Sequence, residues 1–352
     1  MDGNEERFIA LVSKGRMQVK GVGVIGAVDI GLICTMKRAS SLVQKLIKSE
    51  GDAFGVEAIS DGFSCMVCNE SGALFGELVK LKIPDDPRFN ALYKFEPYVD
   101  VVVRHLKAFG LHQILSWPFA EVRADDVAAA LVKHLNGCLE QIRKEVKSKQ
   151  FLSRLNSYQR SSNKNHKELT EYVDALFESY SRLLVLRVDL SYSKENSKIT
   201  QEQATRDRAR LFENARSNKM FDDMVGCIWK LEHGPEKGFH YHVMMFFNGA
   251  KVREDITKAI QVGEYWTNVV TKGRGLYYNC NAAKLRYKSC GIGMVDHRDT
   301  QLREGLKKAV IYLTKTDLYM RLQTIGRGMG KMNRPPPRDP RGRPRTARSS
   351  EA

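Results

Sequence analysis

The residues best suited to chemistry lie in one stretch, residues 229–247, where two apolar runs flank the turn-forming segment His233-Gly234-Pro235-Glu236-Lys237-Gly238. The second run carries a His-x-His pair, His240 and His242. Apolar runs around Gly and Pro predict an antiparallel hairpin. Successive strand side chains point to opposite faces. The odd positions Phe239, Tyr241, Val243, Met245 and Phe247 are all apolar, so both imidazoles share the other face. The first run divides the same way: Val225, Cys227, Trp229 and Leu231 are odd, Lys230 and Glu232 even. If both odd sets face one core, paired residues must sum to an even number, because a slip by one would bury the charges. That parity puts Glu232 beside His240 and His242. Two imidazoles and a carboxylate on one sheet face form a ligand set for a divalent cation with open positions. A His-x-His alone is an ordinary surface pattern; the aligned Glu232 is what makes it a candidate metal site.

A second group lies on the segment 301–324, which predicts a helix with the core stripe Leu302, Leu306, Ala309, Val310, Leu313 and Met320. Lys308, Tyr312, Lys315 and Tyr319 form a neighbouring stripe, since steps of four and three return to one side. Tyr312 flanks the core stripe, so its ring can pack while its hydroxyl points at the sheet. A phenol with a pKa of about 10 is a poor nucleophile. Beside a cation-bound phosphate and an ammonium group it becomes a competent one, and Lys315 supplies a second positive charge.

Glu232, Phe239-His240-Tyr241-His242 and Tyr312-Leu313-Thr314-Lys315 together resemble the HUH endonuclease superfamily, which nicks single-stranded DNA in rolling-circle replication and conjugal transfer. More narrowly, LRVDLSY (186–192), IWKLEHG and GFHYH (228–242), IYLTKTD (311–317) and TIGRGMG (324–330) are similar to the inovirus gene-two type replication proteins and to the C-terminal domain of YagK/YfjJ-type prophage proteins. The resemblance covers roughly residues 170–330. It implies that His240, His242 and Glu232 bind Mg²⁺ or Mn²⁺, and that Tyr312 attacks the scissile phosphate to leave a 3′-hydroxyl and a 5′-phosphotyrosine. Tyr241 departs from the aliphatic residue usual between the histidines; it faces the core, so no chemistry is lost. Two-tyrosine members space their nucleophiles three or four residues apart. Tyr319, seven residues on, lies roughly 10 Å along such a helix, so a single nucleophile is expected.

The whole chain fits this setting. It has 352 residues, enough for two domains, with 42% apolar and 28% charged residues, a soluble globular profile. A net charge of +16 favours a polyanionic partner, nucleic acid first. Seven scattered cysteines suit a reducing cytoplasm, and the resemblance implies that of a bacterial host. The first residues are acidic, unlike a secretory leader, and the apolar stretch 22–34 is too short to span a membrane.

The expected fold class is α+β: a C-terminal antiparallel sheet with helices packed on one face (HUH/RRM-like) and the other face open for the site, plus a separate α+β N-terminal domain. The expected boundaries are an N-terminal domain over 1–152, a polar linker over 153–168, an HUH-like domain over 169–325 and a basic tail over 326–352. In the first domain, 16–33, 55–67, 73–83 and 98–106 read as strand-rich, 38–49 and 124–155 as helices. Beyond the linker, 255–270 reads as a helix with Ile256, Ile260, Trp266 and Val270 inward. Gly21-Val22-Gly23-Val24-Ile25-Gly26 matches a dinucleotide fingerprint, but a β-branched run follows it where a helix should begin, so it reads as a bulged strand. Cys65-Met66-Val67-Cys68 lacks the second pair a structural zinc site needs.

The tail holds eight Arg and Lys against Asp339 and Glu351, cannot bury a core and is expected to be disordered, with phosphate contact as its use. Arg327, Lys331 and Arg334 are its candidate DNA contacts, joined by Arg187 and Lys308 from the polar sides of the domain. The expected partners are single-stranded or origin DNA and a host helicase or polymerase, with no membrane. A non-catalytic DNA-binding protein of a prophage, or a metal hydrolase in which water attacks, are the alternatives; only a tyrosine nucleophile leaves a covalent protein–DNA adduct.

Overall fold

The computed structural model describes residues 27–81, 83, 91–112, 121–234, 237–287, 289–315, 317 and 319–336, apart from the side chains of residues 27–31, 33, 314 and 315. The chain forms two compact units. The first is Met1–Lys164 with Thr314–Gln323; the second is Asn165–Leu313 with Thr324–Ala352.

The first unit contains α1 (Ala27–Leu46), β1 (Phe54–Ser60), β2 (Phe63–Cys68), α2 (Glu70–Val79), β3 (Tyr93–Phe95), α3 (Pro97–Ala108), β4 (Arg123–Ala124) and α4 (Asp125–Val146). Three of these segments read as strands in the sequence and fold as helices. In α1, Leu32, Met36, Ala39, Val43 and Leu46 recur at helical steps and join the unit's core, which outweighs the β-branched start. In α2, the Asn69 side chain caps the helix by accepting from the Gly72 amide. In α3, Pro97 opens the first turn and the Glu96 carboxylate accepts from the amides of Tyr98 and Val99. The valines that suggest a strand there spend their burial on a helix face. A helix does follow the glycine-rich segment 21–26, which itself lies outside the described residues. The described strands of this unit pair antiparallel, so the parallel βαβ setting of a dinucleotide site is not found among them. Cys65 and Cys68 lie on β2 as free thiols.

The second unit is organised on a six-stranded sheet. Its strands are β5 (Arg182–Tyr192), β6 (Met224–Gly234), β7 (Gly238–Asn248), β8 (Gly275–Asn279), β9 (Gly293–Asp296) and β11 (Met329–Lys331). The order is β11-β6-β7-β5-β8, with β9 sharing the outer edge of β5. Every pairing is antiparallel. Where β5 passes from β9 to β8, the Asn281 side chain replaces a strand: it accepts from the Arg187 amide and donates to the Val185 carbonyl.

Helices cover both faces of this sheet rather than one. On one face, Leu183, Val185, Ile228, Met244 and Phe246 pack with the C-terminal part of α5 (Lys149–Ser179) and with Leu306, Val310 and Leu313 of α8 (Thr300–Lys315). On the other face, Trp266 stacks edge-on against Tyr192 and Tyr241 and donates from Nε1 to the Ser191 carbonyl. It follows α7 (Asp255–Tyr265), whose buried residues include Ala259, Val262 and Gly263. Ile256 and Ile260, expected inward, are exposed, because the small residues let α7 approach closely: a Cβ on Gly263 would meet the Tyr277 ring at 2.1 Å. α6 (Gln201–Asn214) is capped by the Thr200 side chain.

Three boundaries differ from the sequence reading. Residues 153–168 are helical throughout, within α5, and the division between the units falls inside that helix. Leu155 and Tyr158 are buried, and this apolar spacing keeps a polar stretch helical. The last helix ends at Lys315. Met320, expected on its stripe, lies on β10 (Met320–Leu322) opposite Phe95, and the Tyr319 carbonyl accepts from the Glu96 amide. The basic tail is also not wholly without structure: residues 329–331 pair with β6. Residues 337–352 lie outside the described residues.

Candidate metal centre

The register of β6 and β7 opposes Glu232 to His240 and Lys230 to His242. These pairs sum to an even number, as the apolar pattern requires. β5 adds Asp189 opposite His242 and Arg187 opposite Met244. Lys230, Glu232, His240, His242, Arg187 and Asp189 therefore share a face with Met244 and Phe246. The apolar end of that face is core; the polar end is the site.

Both imidazoles are held the same way round. His242 Nδ1 lies 2.7 Å from Asp189 Oδ1, and its Nε2 lies 3.2 Å from Glu232 Oε2. His240 Nδ1 lies 3.2 Å from the Gly238 carbonyl, and its Nε2 is 4.0 Å from Glu232 Oε2. Each Nδ1–H has an oxygen to donate to, which leaves each Nε2 facing the Glu232 carboxylate. The ligand atoms of Glu232, His240 and His242 all lie within 4.8 Å of one another. Divalent cations bond N and O ligands at about 2.0–2.2 Å, so a small closure brings all three atoms onto one ion. With a cation on the triad, Asp189 would be the outer carboxylate behind a ligand histidine, a partner that fixes ring orientation and ligand basicity.

The charges are matched to this use. Burial favours the neutral His242 ring, but Asp189 and Glu232 outweigh it and raise its pKa to about 9. Burial and the charge on His242 lower His240 to about 4, so this ring is already a neutral ligand. Burial favours a neutral Glu232, but His242, His240 and Lys230 outweigh it and hold the carboxyl at about 2. Asp189 behaves likewise: burial is overcome by His242 and Arg187, and its pKa falls below the usual carboxylate range. Before a cation binds, His242 carries a proton that the cation must displace.

Tyr312 is half-buried on α8, one residue before the core residue Leu313. The Arg187 guanidinium lies 5.3 Å from the centre of its ring, and Arg187 Nε is 3.7 Å from Asp189 Oδ1. A chain of contacts thus runs from Tyr312 through Arg187 and Asp189 to His242. Arg187 is not an outward-facing DNA contact: its side chain is 15% exposed, and its charge faces Asp189 and the Tyr312 ring. Lys308 is exposed one turn before Tyr312. Lys315 ends α8, and its side chain lies outside the described residues. Tyr319 belongs to the first unit, with Tyr312 in the second. Of the tail cations, Arg334 pairs with Glu171 at 2.8 Å, Lys331 lies 5.6 Å over the Tyr172 ring and Arg327 is exposed.

Three site residues were not legible as such. Asp189 needs the pairing of β5 with β7 to fix its face. Lys230 was visible on the even face of its strand but is 5% exposed, buried beside Glu232 where an ordinary strand lysine would be solvated. Arg187 has the parity of Asp189, so one register assigns both.

Among the described residues no helix is long and apolar enough to cross a membrane. No curated protein and no solved structure matches the chain significantly. A family model does match, the YagK/YfjJ C-terminal domain, over residues 144–327, which takes in α5, the sheet from β5 to β9, the three ligand residues and Tyr312. That span is more than half of the chain, and the protein belongs to the YagK/YfjJ C-terminal domain family.

Proposed function

We propose that the protein is a replication initiator or relaxase-like endonuclease that nicks and rejoins single-stranded DNA through Tyr312. The observation that carries this reading is the contact chain Tyr312–Arg187–Asp189–His242–Glu232, which joins a nucleophile on a helix to three converging ligand atoms on a sheet. Glu232, His240 and His242 would hold Mg²⁺ or Mn²⁺, which when bound would neutralise charge on the scissile phosphate. Asp189 orients His242 by accepting from Nδ1. Arg187 packs on the Tyr312 ring and fixes its position. The Tyr312 oxygen forms a bond to phosphorus, the bond to the 3′ oxygen breaks, and the phenol proton is lost while the 3′ oxygen gains one. The products are a free 3′-hydroxyl and a 5′-phosphotyrosine, and reversal religates the strand. Lys308 and Lys315 flank Tyr312 in sequence and supply positive charge on either side of it.

This is the chemistry of the HUH superfamily, and the motifs similar to the inovirus gene-two type proteins favour rolling-circle replication of a phage or other mobile element. On that reading the partner is origin DNA in a bacterial cytoplasm, and the new 3′-hydroxyl serves a host polymerase and helicase. Single-stranded oligonucleotides tiling the encoding element, incubated with Mn²⁺ or Mg²⁺ and run on a denaturing gel, test the proposal. A shifted protein band that disappears in Tyr312→Phe is expected. Cleavage without an adduct would instead mean water attack, and binding without cleavage a non-catalytic DNA-binding protein.

A further inference from the structure

The segment TIGRGMG, residues 324–330, does not trail away from the domain but is folded onto the edge of β6. Met329, Gly330 and Lys331 pair with Lys230, Trp229 and Ile228, and the Leu231 amide donates to the Gly328 carbonyl at 2.7 Å. Gly330 lies against the Trp229 ring so closely that a Cβ there would meet ring atoms at 2.6–2.8 Å. Gly326 has φ +83°, a left-handed conformation that turns the chain into the strand. The Thr324 hydroxyl donates to the Gly326 carbonyl, and Gln201 Nε2 donates to the Ile325 carbonyl. The turn is thus held from β6 and from the start of α6.

This construction fixes the address of Arg327. Arg327 directly precedes Gly328, whose carbonyl accepts from the amide of Leu231, the β6 residue next to Glu232, so its backbone is held at the end of β6 that carries the candidate metal ligand. Other cations nearby are already engaged: Arg187 with Asp189, Arg334 with Glu171, Lys331 over Tyr172. Arg327 is exposed, and among the described residues its side chain makes no ion pair. β11 ends the sheet, so nothing is paired beyond it among those residues.

We infer that Arg327 is a positioning residue that grips a backbone phosphate of the nucleic-acid strand at the sheet edge, beside the metal centre. This rests on the nicking reading and sharpens it: the strand would enter or leave along β6 and β11 rather than along residues 337–352. A guanidinium suits the task because its planar fork binds phosphate in a bidentate way, whereas an ammonium acts as a point charge. The built turn matters because an arginine on a loose tail adds attraction but no register.

The test compares Arg327→Ala and Arg327→Lys with Arg338→Ala, which removes the same charge farther along the tail. Binding of a fluorescein-labelled oligo-dT is followed by anisotropy against salt concentration in the presence of Mn²⁺, with adduct formation on the cleaved oligonucleotide as the second readout. One lost phosphate contact on single-stranded DNA lowers the salt slope by about 0.7. Arg327→Ala is expected to show this fall and to slow adduct formation about tenfold, the scale of one charge-assisted hydrogen bond. Arg327→Lys should recover the slope and only part of the rate. Arg338→Ala should leave the adduct rate unchanged. Mn²⁺ affinity should be the same in all three, which separates strand positioning from damage to the metal centre. If Arg327→Ala and Arg338→Ala behave alike in slope and rate, the position has no special role and the inference is overturned. If the wild-type protein forms no adduct at all, the nicking reading fails, and the slope comparison alone still decides whether Arg327 grips a phosphate.

Discussion

Asp207 and Glu232 are both carboxylates packed on the same sheet, Asp207 fully buried and Glu232 with 13% of its side chain exposed, and their partners differ in one chemical respect. Asp207 is 0% exposed and accepts from the Tyr192 hydroxyl, Gln203 Nε2 and Arg274 Nη2, which reaches both of its oxygens at 3.2 Å. None of these donors gives up its proton near neutral pH, so the cluster is closed. Glu232 faces two imidazoles, and an imidazole can exchange its proton for a metal. Asp255, held by Lys284 and Asn281, follows the Asp207 pattern and ties the start of α7 to the turn after β8. Buried charge in this unit therefore has two uses. Paired with arginine or lysine it fastens elements together; paired with histidine it leaves ligand atoms that a cation can claim.

The sharpest way to break the comparison is His242→Ala, which should abolish stabilisation by metal and, on the proposed function, abolish the covalent adduct as well. In the wild type, Mn²⁺ at a hundred times its Kd should add about 2.7 kcal/mol to stability, measured by thermal unfolding with and without a chelator. A wild-type protein indifferent to Mn²⁺ would remove the basis for the metal centre. Asp207→Ala should do the reverse. Loss of a buried partner that leaves Arg274 uncompensated costs about 3 kcal/mol, while metal affinity should stay unchanged. Asp189→Asn should keep the three ligands and lower metal affinity about 10–100-fold, as loss of an outer carboxylate behind a ligand histidine does. Isothermal titration would show this, and an unchanged affinity would make Asp189 a packing residue only.

The smallest effect is a pH dependence. Because His242 must lose a proton to bind metal, the apparent Kd should fall about tenfold per pH unit as pH rises toward about 9. The raised pKa has the opposite consequence for the protein without metal. Its contribution to stability is complete below the ordinary imidazole value of 6.5 and is lost as pH rises through about 9. Stability without metal and affinity for metal should move in opposite directions over that window.

The convergence of the three candidate ligands was legible because its signal is parity. A hairpin with one wholly apolar set of positions has a single register that keeps its charges out of the core, and Glu232 follows from it. Asp189 was not, because which strand lies beside β7 is a tertiary choice that no period in the sequence encodes. The family match agrees with the YagK/YfjJ resemblance seen in the C-terminal motifs. The first unit was read less well for a different reason: its valine-rich segments look extended by propensity, and burial at helical steps with caps at Asn69 and Glu96 decides otherwise. The end of α8 failed the same way, since Met320 continues a helical spacing by coincidence and is buried in a strand pair instead.

The excursion of residues 314–323 has a consequence for how such a gene can be rearranged. The chain leaves the second unit after Leu313, supplies β10 to the first unit, and returns at Thr324 to form β11. No single cut separates the two units. Dividing the chain at one point between them would leave β3 without its strand partner or β6 without its edge strand, and a bare edge invites pairing with other chains. Exchange of the second unit between relatives would need three junctions, near residues 164, 313 and 323, or a continuous segment that carries ten residues of the first unit along with it.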